Sequence, residues 1–540
     1  MTRSLVGAIL ACATPLLGQA PARRDVPGVR SDVRLLAAQL PQRHPAPFRW
    51  ITAAQWDSAT QRLERRLPTL TRNQVLVGVM RLVAMLGDAH TTVEPTPSLG
   101  LRYYPLELYD FDDGLYVRRA DSTGAGLVGA RVLRIGAVSA AEALGRVSAI
   151  VPHENDWWVR AWGPFWLMIP EILDGLGLAT DVEHLALVVE RNGRVDTVHI
   201  APTGRFSESH GGFPVDMNGW VTMRQGPAPY WEQHPDHPFW WTIDPASRAL
   251  YVAMRAVVPG PQSGTNRAQW DEIFALIDSV APPRVVLDLR ENMGGNGGLN
   301  RYPIQQILRR PGLDRPDRLF VVIGRRTFSA AQQFTNLLEW WTQATLVGEP
   351  TGQRPSQYGD HRPLELPNLH LTVQISTVFH QAPNEFDDRR FVPPAIYTPL
   401  TATAYRQGID PAWMAILTPD TAAPISDAVS RLIAAGDSAG AERALRAAQD
   451  AVANRFRPLE RDINALGYRL LEAGEVDRAV AAFRLNTRVY PRSANAFDSL
   501  GEALLAAGKR EEAIAAYRRA VEIDARFRSS IEALRRLGAN

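Results

Sequence analysis

Apolar positions from about residue 30 to 87 recur at helical spacing. In "TRNQVLVGVMRLVAMLG" they place Val75, Val79, Leu82, Val83 and Leu86 on one face, with Gly87 as the stop. From 97 to 200 the pattern changes to strand-like runs: "LRYYPLELYDF", "GLYVRRA", "GARVLRIG" and "HLALVVERNGRVDTVHI". Residues 205 to 245 are rich in Pro, Gly and aromatics, which predicts a connector or a groove-lining loop. A regular alternation follows. "RALYVAMRAV", "RVVLDLR", "RLFVVIG" and "ATLVG" read as strands. Between them lie helices at "NRAQWDEIFALIDSV" (stripe Trp270, Ile273, Phe274, Ile277), at "GLNRYPIQQILRR", and one opening at Ser329 that is expected to bury Phe334, Leu337, Leu338 and Trp341. Strands alternating with helices predict an α/β core whose chemistry sits near the carboxyl ends of the strands.

Beyond about residue 424 the chain turns to Ala, Arg and Glu, and an internal repeat appears. Gly467, Gly474, Ala479 and Phe483 recur as Gly501, Gly508, Ala513 and Tyr517. The offset of about 34 residues is the period of tetratricopeptide helix pairs, whose usual role is to bind a peptide or a protein partner.

Composition narrows the chemistry. Of 540 residues 45% are hydrophobic and 21% charged, with a net charge of +2. That balance gives no electrostatic footprint for nucleic acid. Among 59 basic residues Lys509 is the one lysine, and Cys12 is the one cysteine. Disulfides, cysteine nucleophiles and cysteine-based zinc sites drop out, and neither a metal nor a cofactor is expected. The N-terminus "MTRSLVGAILACATPLLGQAPARRD" has Arg3, an apolar stretch from Leu5 to Leu17 and small residues before Ala20. It reads as a secretory signal peptide over 1–20 rather than a lipoprotein leader, so a periplasmic or extracellular protein with no integral membrane span is expected.

Two stretches invite chemistry. In "TFSAAQQF", Ser329 and Gln332 fit the capping-box pattern, yet a serine where a strand becomes a helix is also a candidate nucleophile. In "VVLDLRENMGGNGG", Gly294 and Gly295 let backbone amides approach a developing oxyanion, alongside the amide of Ala330 at the helix start. The same glycines also fit a plain turn. A phosphate loop would need a Lys-Ser/Thr ending that is absent. Asp288, Arg290 and Asn292 are read as organising this turn.

"VVLDLRENMGG", "VVIGRRTFSAAQQF" and "LVGEPTGQRPSQYGD" resemble, in order and spacing, the tail-specific serine peptidases. That family includes the C-terminal processing proteases, the tricorn core protease and the interphotoreceptor retinoid-binding repeats. The resemblance implies a crotonase/ClpP-like β-β-α superhelix core with the nucleophile at Ser329. Where the processing proteases carry a lysine base, this chain has Arg354, which does not deprotonate in a protein. The tricorn-like branch uses a histidine, and "LGDAHTTV" supplies His90 as general base, with Ala89 where tricorn has a serine. The resemblance maps the family's acidic residue onto Asp388, with Asp387 and Glu385 close by as alternatives and a solvated acidic turn as the other reading. His361 and His380 are reserve bases. "GLVGARVLRIGAVSAAEALGRV" resembles the latter part of a PDZ domain, without its carboxylate-binding loop.

The expected organisation is therefore an α/β chain in six parts. These are a signal peptide (1–20), an N-terminal helical segment (25–96), a PDZ-like β module (97–204), a connector (205–245), a serine peptidase core (246–415) and helical repeats (425–540). The expected function is an exported serine peptidase acting on peptide or protein substrates through a Ser-His acyl-enzyme mechanism, its repeats binding a partner or the substrate. The alternative is a non-catalytic binding protein on the same fold, with the aromatic loop from Trp220 to Trp241 lining an apolar groove.

Overall fold

The computed structural model describes residues 25–95, 97–205, 217, 219–260, 265–418 and 425–539. The expected signal peptide lies outside the described residues. Three helices open the chain, Val26–Arg43, Ala53–Arg66 and Arg72–Ala84. Thr52 with Gln55 and Thr71 with Gln74 close capping boxes at the second and third. All five residues of the expected apolar face of the third helix are buried.

The strand Thr92–Pro95 just beyond has no local partner. It pairs antiparallel with Leu371–Ile375, Val93 opposite Val373, and that strand pairs onward with Arg362–Leu366. This hairpin, expected within the peptidase core, instead leaves the core sheet and completes the N-terminal unit, where Leu364, Leu366, Val373 and Ile375 join one apolar cluster with Val93. The segment carrying His90 is thereby fastened to chain that follows Ser329.

A second sheet contains Leu106–Phe111, Gly114–Ala120, Arg131–Ile135, Leu185–Arg191 and Arg194–Ile200 as an antiparallel set. The helices Ala140–Ser148 and Asp156–Trp166 are inserted between its third and fourth strands.

The core sheet runs in the order Phe239–Ile243, Leu250–Met254, Val285–Asp288, Leu319–Ile323, Thr345–Gly348, Ile396–Tyr397. Its first pair is antiparallel and every later pair parallel. Parallel neighbours bring their carboxyl ends to one edge, so the turns after Asp288, Ile323 and Gly348 gather there. The aromatic connector is therefore partly core. Phe239–Ile243 is an edge strand, and Trp231 and Trp240 are buried, the latter against Tyr230 and Tyr251. Trp270, Ile273, Phe274 and Ile277 are buried as expected, as are Phe334 and Leu338. Trp341 is not: it is 58% exposed, because the helix Ala330–Trp341 ends there and the indole lines an open cleft.

The C-terminal part consists of helix pairs, among them Leu459–Glu472 with Val476–Val489 and Ala494–Ala506 with Arg510–Ile523. The recurring residues have one physical explanation. A Cβ on Gly467 would lie 2.4 Å from the Phe483 ring, and one on Gly501 would lie 2.6 Å from the Tyr517 ring. In each pair, glycine makes room for the aromatic of the following helix. Phe456 joins this part to the rest, packing edge-on against Trp157, Phe391 and Tyr397. Among the described residues no helix is long and apolar enough to cross a membrane.

Candidate active site

The segment between Ile323 and Ser329 is pinned to the preceding turn. Thr327 donates to the Leu289 carbonyl at 2.8 Å, and the Phe328 amide donates to the Asn292 carbonyl at 3.1 Å. Ser329 then adopts φ +52°, ψ −123°, a conformation that costs a non-glycine residue about 1–3 kcal/mol. The capping box expected here is absent. The Ser329 side chain caps nothing, its amide donates to Gln353 Oε1 at 2.7 Å, and the Gln332 amide donates to Asn336 instead. The unusual backbone turns the hydroxyl away from the helix amides and into a cleft of about 810 Å³.

The glycine turn lies against this serine. Gly294 and Gly295 have φ +105° and +133°, and a Cβ on Gly294 would sit 2.5 Å from Ser329 Cβ and 2.8 Å from the Ala330 nitrogen. Asn292 organises the turn, donating to the Met254 carbonyl and accepting the Gly294 amide at 2.9 Å. That last bond corrects one expectation, since the Gly294 N–H is engaged and is not a free oxyanion donor. The amides of Gly295 and Ala330 make no hydrogen bond among the described residues. Ala330 is the first residue of the helix, where partial positive charge accumulates, and Gly295 lines the same cleft as Ser329. Asp288 and Arg290 tie the end of the strand to Tyr251 and Asp410.

His90 is buried, and its ring stacks on Phe328 at 4.3 Å, which in turn stacks on Trp158 at 4.1 Å. Its amide donates to Asp88, a buried carboxylate that also accepts from His44, Thr91 and Ser376. Burial pushes Asp88 upward, but the donors around it outweigh that and hold it at about 2. Burial pushes the His90 imidazole down to about 4, so it is neutral at neutral pH. No hydrogen bond joins His90 to Ser329. Gln353 bridges them: its Nε2 lies 2.9 Å from His90 Nδ1 while its Oε1 accepts the Ser329 amide.

Asp388 does not orient His90. Its carbonyl accepts from Arg354 at 3.0 Å, and the adjacent Asp387–Arg389 pair anchors that loop to Glu339. Neither Asp387 nor Glu385 reaches the imidazole either. Glu154 joins the network through Gln353, accepting from the Arg354 amide at 2.7 Å and from Gln353 at 3.4 Å. Burial, reinforced by the charge of Asp88, raises Glu154 to about 8. Arg354, at the lysine position of the processing proteases, lies over Trp50 with its guanidinium 4.4 Å from the ring centre. His380 pairs with Asp360 at 2.9 Å, and both line the cleft with Ser329. His361 lies 6.5 Å from His90 between ring centres. No group of three or more His, Cys, Asp or Glu among the described residues could hold a metal ion.

The fold is shared with mature CPAF. The structure of mature CPAF complexed with lactacystin matches at a TM-score of 0.51 and 14% identity, over 71% of this chain and 95% of that one. Mature CPAF alone gives 0.50 and 13%, over 73% and 96%. The photosystem II D1 C-terminal processing protease is also matched, at a TM-score of 0.33 that carries no weight. No protein-family model matches the chain, and no curated protein matches it.

Gln353 and Glu154 escaped sequence reasoning in these roles. Gln353 stood next to Arg354 in "EPTGQR", but glutamine is mostly a surface residue and its burial depends on partners distant in sequence. Nothing local distinguishes Glu154 in "VPHENDWW".

Proposed function

We propose that this chain is a serine peptidase with Ser329 as nucleophile and His90 as general base. The observation that carries the reading is the strained Ser329, which lines a cleft with Gly295 and precedes Ala330, both of whose amides are unengaged. As Ser329 Oγ bonds to a peptide carbonyl carbon, its proton passes to His90 and the carbonyl electron pair moves onto oxygen. The Gly295 and Ala330 N–H groups hold that oxyanion. Collapse of the tetrahedral species expels the amine, protonated by His90, and water then hydrolyses the acyl-enzyme by the same route. The cleft offers room for an extended peptide, with Leu337, Trp341 and Pro383 as apolar wall and Arg301 as a charged one. The leader over 1–20 supports an exported enzyme. The helical repeats, read as tetratricopeptide units, would hold a partner or the substrate chain. Trp231, Phe239 and Trp240 of the aromatic connector are buried, which leaves fewer of its aromatics to line an apolar groove in the alternative reading.

The test is hydrolysis of a denatured protein substrate by wild type, Ser329→Ala, His90→Ala and His380→Ala. The first two changes should each abolish whatever hydrolysis the wild type shows. His380→Ala should retain most activity. Loss on His380→Ala with retention on His90→Ala would move the base to the His380–Asp360 pair. Undiminished hydrolysis by Ser329→Ala would end the serine reading.

A further inference from the structure

Gln353 is fully buried, and its side-chain amide is engaged at both ends. Oε1 accepts the Ser329 N–H at 2.7 Å, and Nε2 faces His90 Nδ1 at 2.9 Å and Glu154 Oε1 at 3.4 Å. The first bond fixes the orientation, because a backbone N–H only donates and must meet the carbonyl oxygen. The amino end therefore faces His90. An amino group only donates, so Nδ1 must accept, and the neutral ring carries its proton on Nε2. The Phe328 stack holds the ring plane in that setting.

This assignment has a chemical consequence. If Nε2 were to take the serine proton, it is already protonated. If Nδ1 were to take it, its lone pair is occupied by the Gln353 amino group. Either way the imidazole has no free lone pair, and replacing the orienting carboxylate of a serine–histidine pair by an amide is known to set this wrong tautomer at a cost of ~10⁴-fold in rate. We infer that Gln353 is a positioning residue that holds the site latent by fixing His90 as its Nε2–H tautomer, and that a working site requires this amide to be displaced. The inference rests on the peptidase reading for its catalytic consequence, but the tautomer itself does not.

A carboxylate at the same position reverses the logic. In Gln353→Glu it can accept both the Ser329 N–H and a His90 Nδ1–H, while Glu154, held protonated by burial, can donate to it. The other groups facing His90 are Asp88 and Asp360, which favour its protonation, and His361 and His380, which oppose it. A new carboxylate against the ring would add to the former and move the acid limb of any pH profile upward from about 4.

The experiment is ring-¹⁵N NMR of the full chain labelled at histidine, with His90 assigned by difference from His90→Gln, alongside the rate of acylation by a fluorophosphonate. Expected at pH 7 are an Nε2–H pattern for His90 in the wild type, an Nδ1–H pattern in Gln353→Glu, and acylation about tenfold faster or more in that variant. An Nδ1–H pattern in the wild type overturns the inference whatever the Gln353 variants do. So does acylation no faster in a Gln353→Glu chain whose tautomer has switched. Gln353→Met, which removes the donor without adding charge, should release the ring to a mixture of tautomers, and a pure Nε2–H pattern there would also overturn it. An adduct on a residue other than Ser329 would refute the peptidase reading and leave the tautomer assignment standing.

Discussion

Replacing Asp88 by asparagine removes a charge on which four donors converge. Oδ2 accepts from His44 Nε2 at 3.1 Å and from the Thr91 and Ser376 hydroxyls at 2.6 Å each, and Oδ1 accepts the His90 amide at 3.0 Å. His44 is a firm donor, since its Nδ1 already accepts from the Ala46 amide. These bonds join the end of the first helix, the His90 turn and the end of the strand Leu371–Ile375. Hydrogen bonds to a buried charge contribute about 1.5–3 kcal/mol each, but the two hydroxyls can rotate to accept from the new amide, so about 3 kcal/mol is expected. Linkage gives a similar size. Asp88 is lowered from 3.8 to about 2, which corresponds to about 2.5 kcal/mol. A depressed carboxyl contributes fully above its unfolded value and loses that contribution as pH falls through about 2. Urea unfolding followed by tryptophan fluorescence should therefore show Asp88→Asn less stable by about 3 kcal/mol at pH 7, and by about half that at pH 3. A difference below about 1 kcal/mol, or one that does not shrink with acid, would refute the claim that this carboxylate anchors the His90 turn.

Gly294→Ala would force a Cβ to within 2.5 Å of Ser329 Cβ at φ +105°, so fluorophosphonate acylation should fall on the order of 10²-fold or more while the circular dichroism spectrum stays folded. Because burial lowers His90 to about 4, acylation should hold steady from neutral pH down to about 4 and fall only below it, as stopped-time labelling across pH would reveal. Gly467→Ala pushes a methyl into the Phe483 ring and should destabilise the helical repeats by about 1–3 kcal/mol in thermal melts, with acylation of Ser329 unchanged.

The parts of this fold that sequence reasoning reached are those whose pattern is local. The helix face of Val75, Val79, Leu82, Val83 and Leu86 repeats within one segment, as does the strand–helix alternation from Leu250 to Gly348. What it missed depends on distant chain. Thr92–Pro95 is a strand because Leu371–Ile375 lies beside it, and no local period announces a pairing across that separation. Trp341 looked like core by helical phase, yet the helix ends at it and leaves it in the cleft. In the candidate site, Ser329, His90, the glycine pair and Ala330 were visible as residues with a chemistry of their own. The Gly294 amide looked available because the side chain that engages it, Asn292, could be assigned to the turn but not to that atom. Asp388 was placed by motif, and the geometry puts Gln353 on the imidazole instead. A buried amide that connects three groups has no sequence signature, because each of its bonds is set by tertiary placement.

Peptide mapping by mass spectrometry after fluorophosphonate treatment tests the central claim most directly, using the wild-type chain and Gln353→Glu in parallel. One adduct per chain on Ser329, faster in Gln353→Glu and absent from Ser329→Ala, is the predicted result. No adduct in either chain, or an adduct that persists in Ser329→Ala, would contradict it.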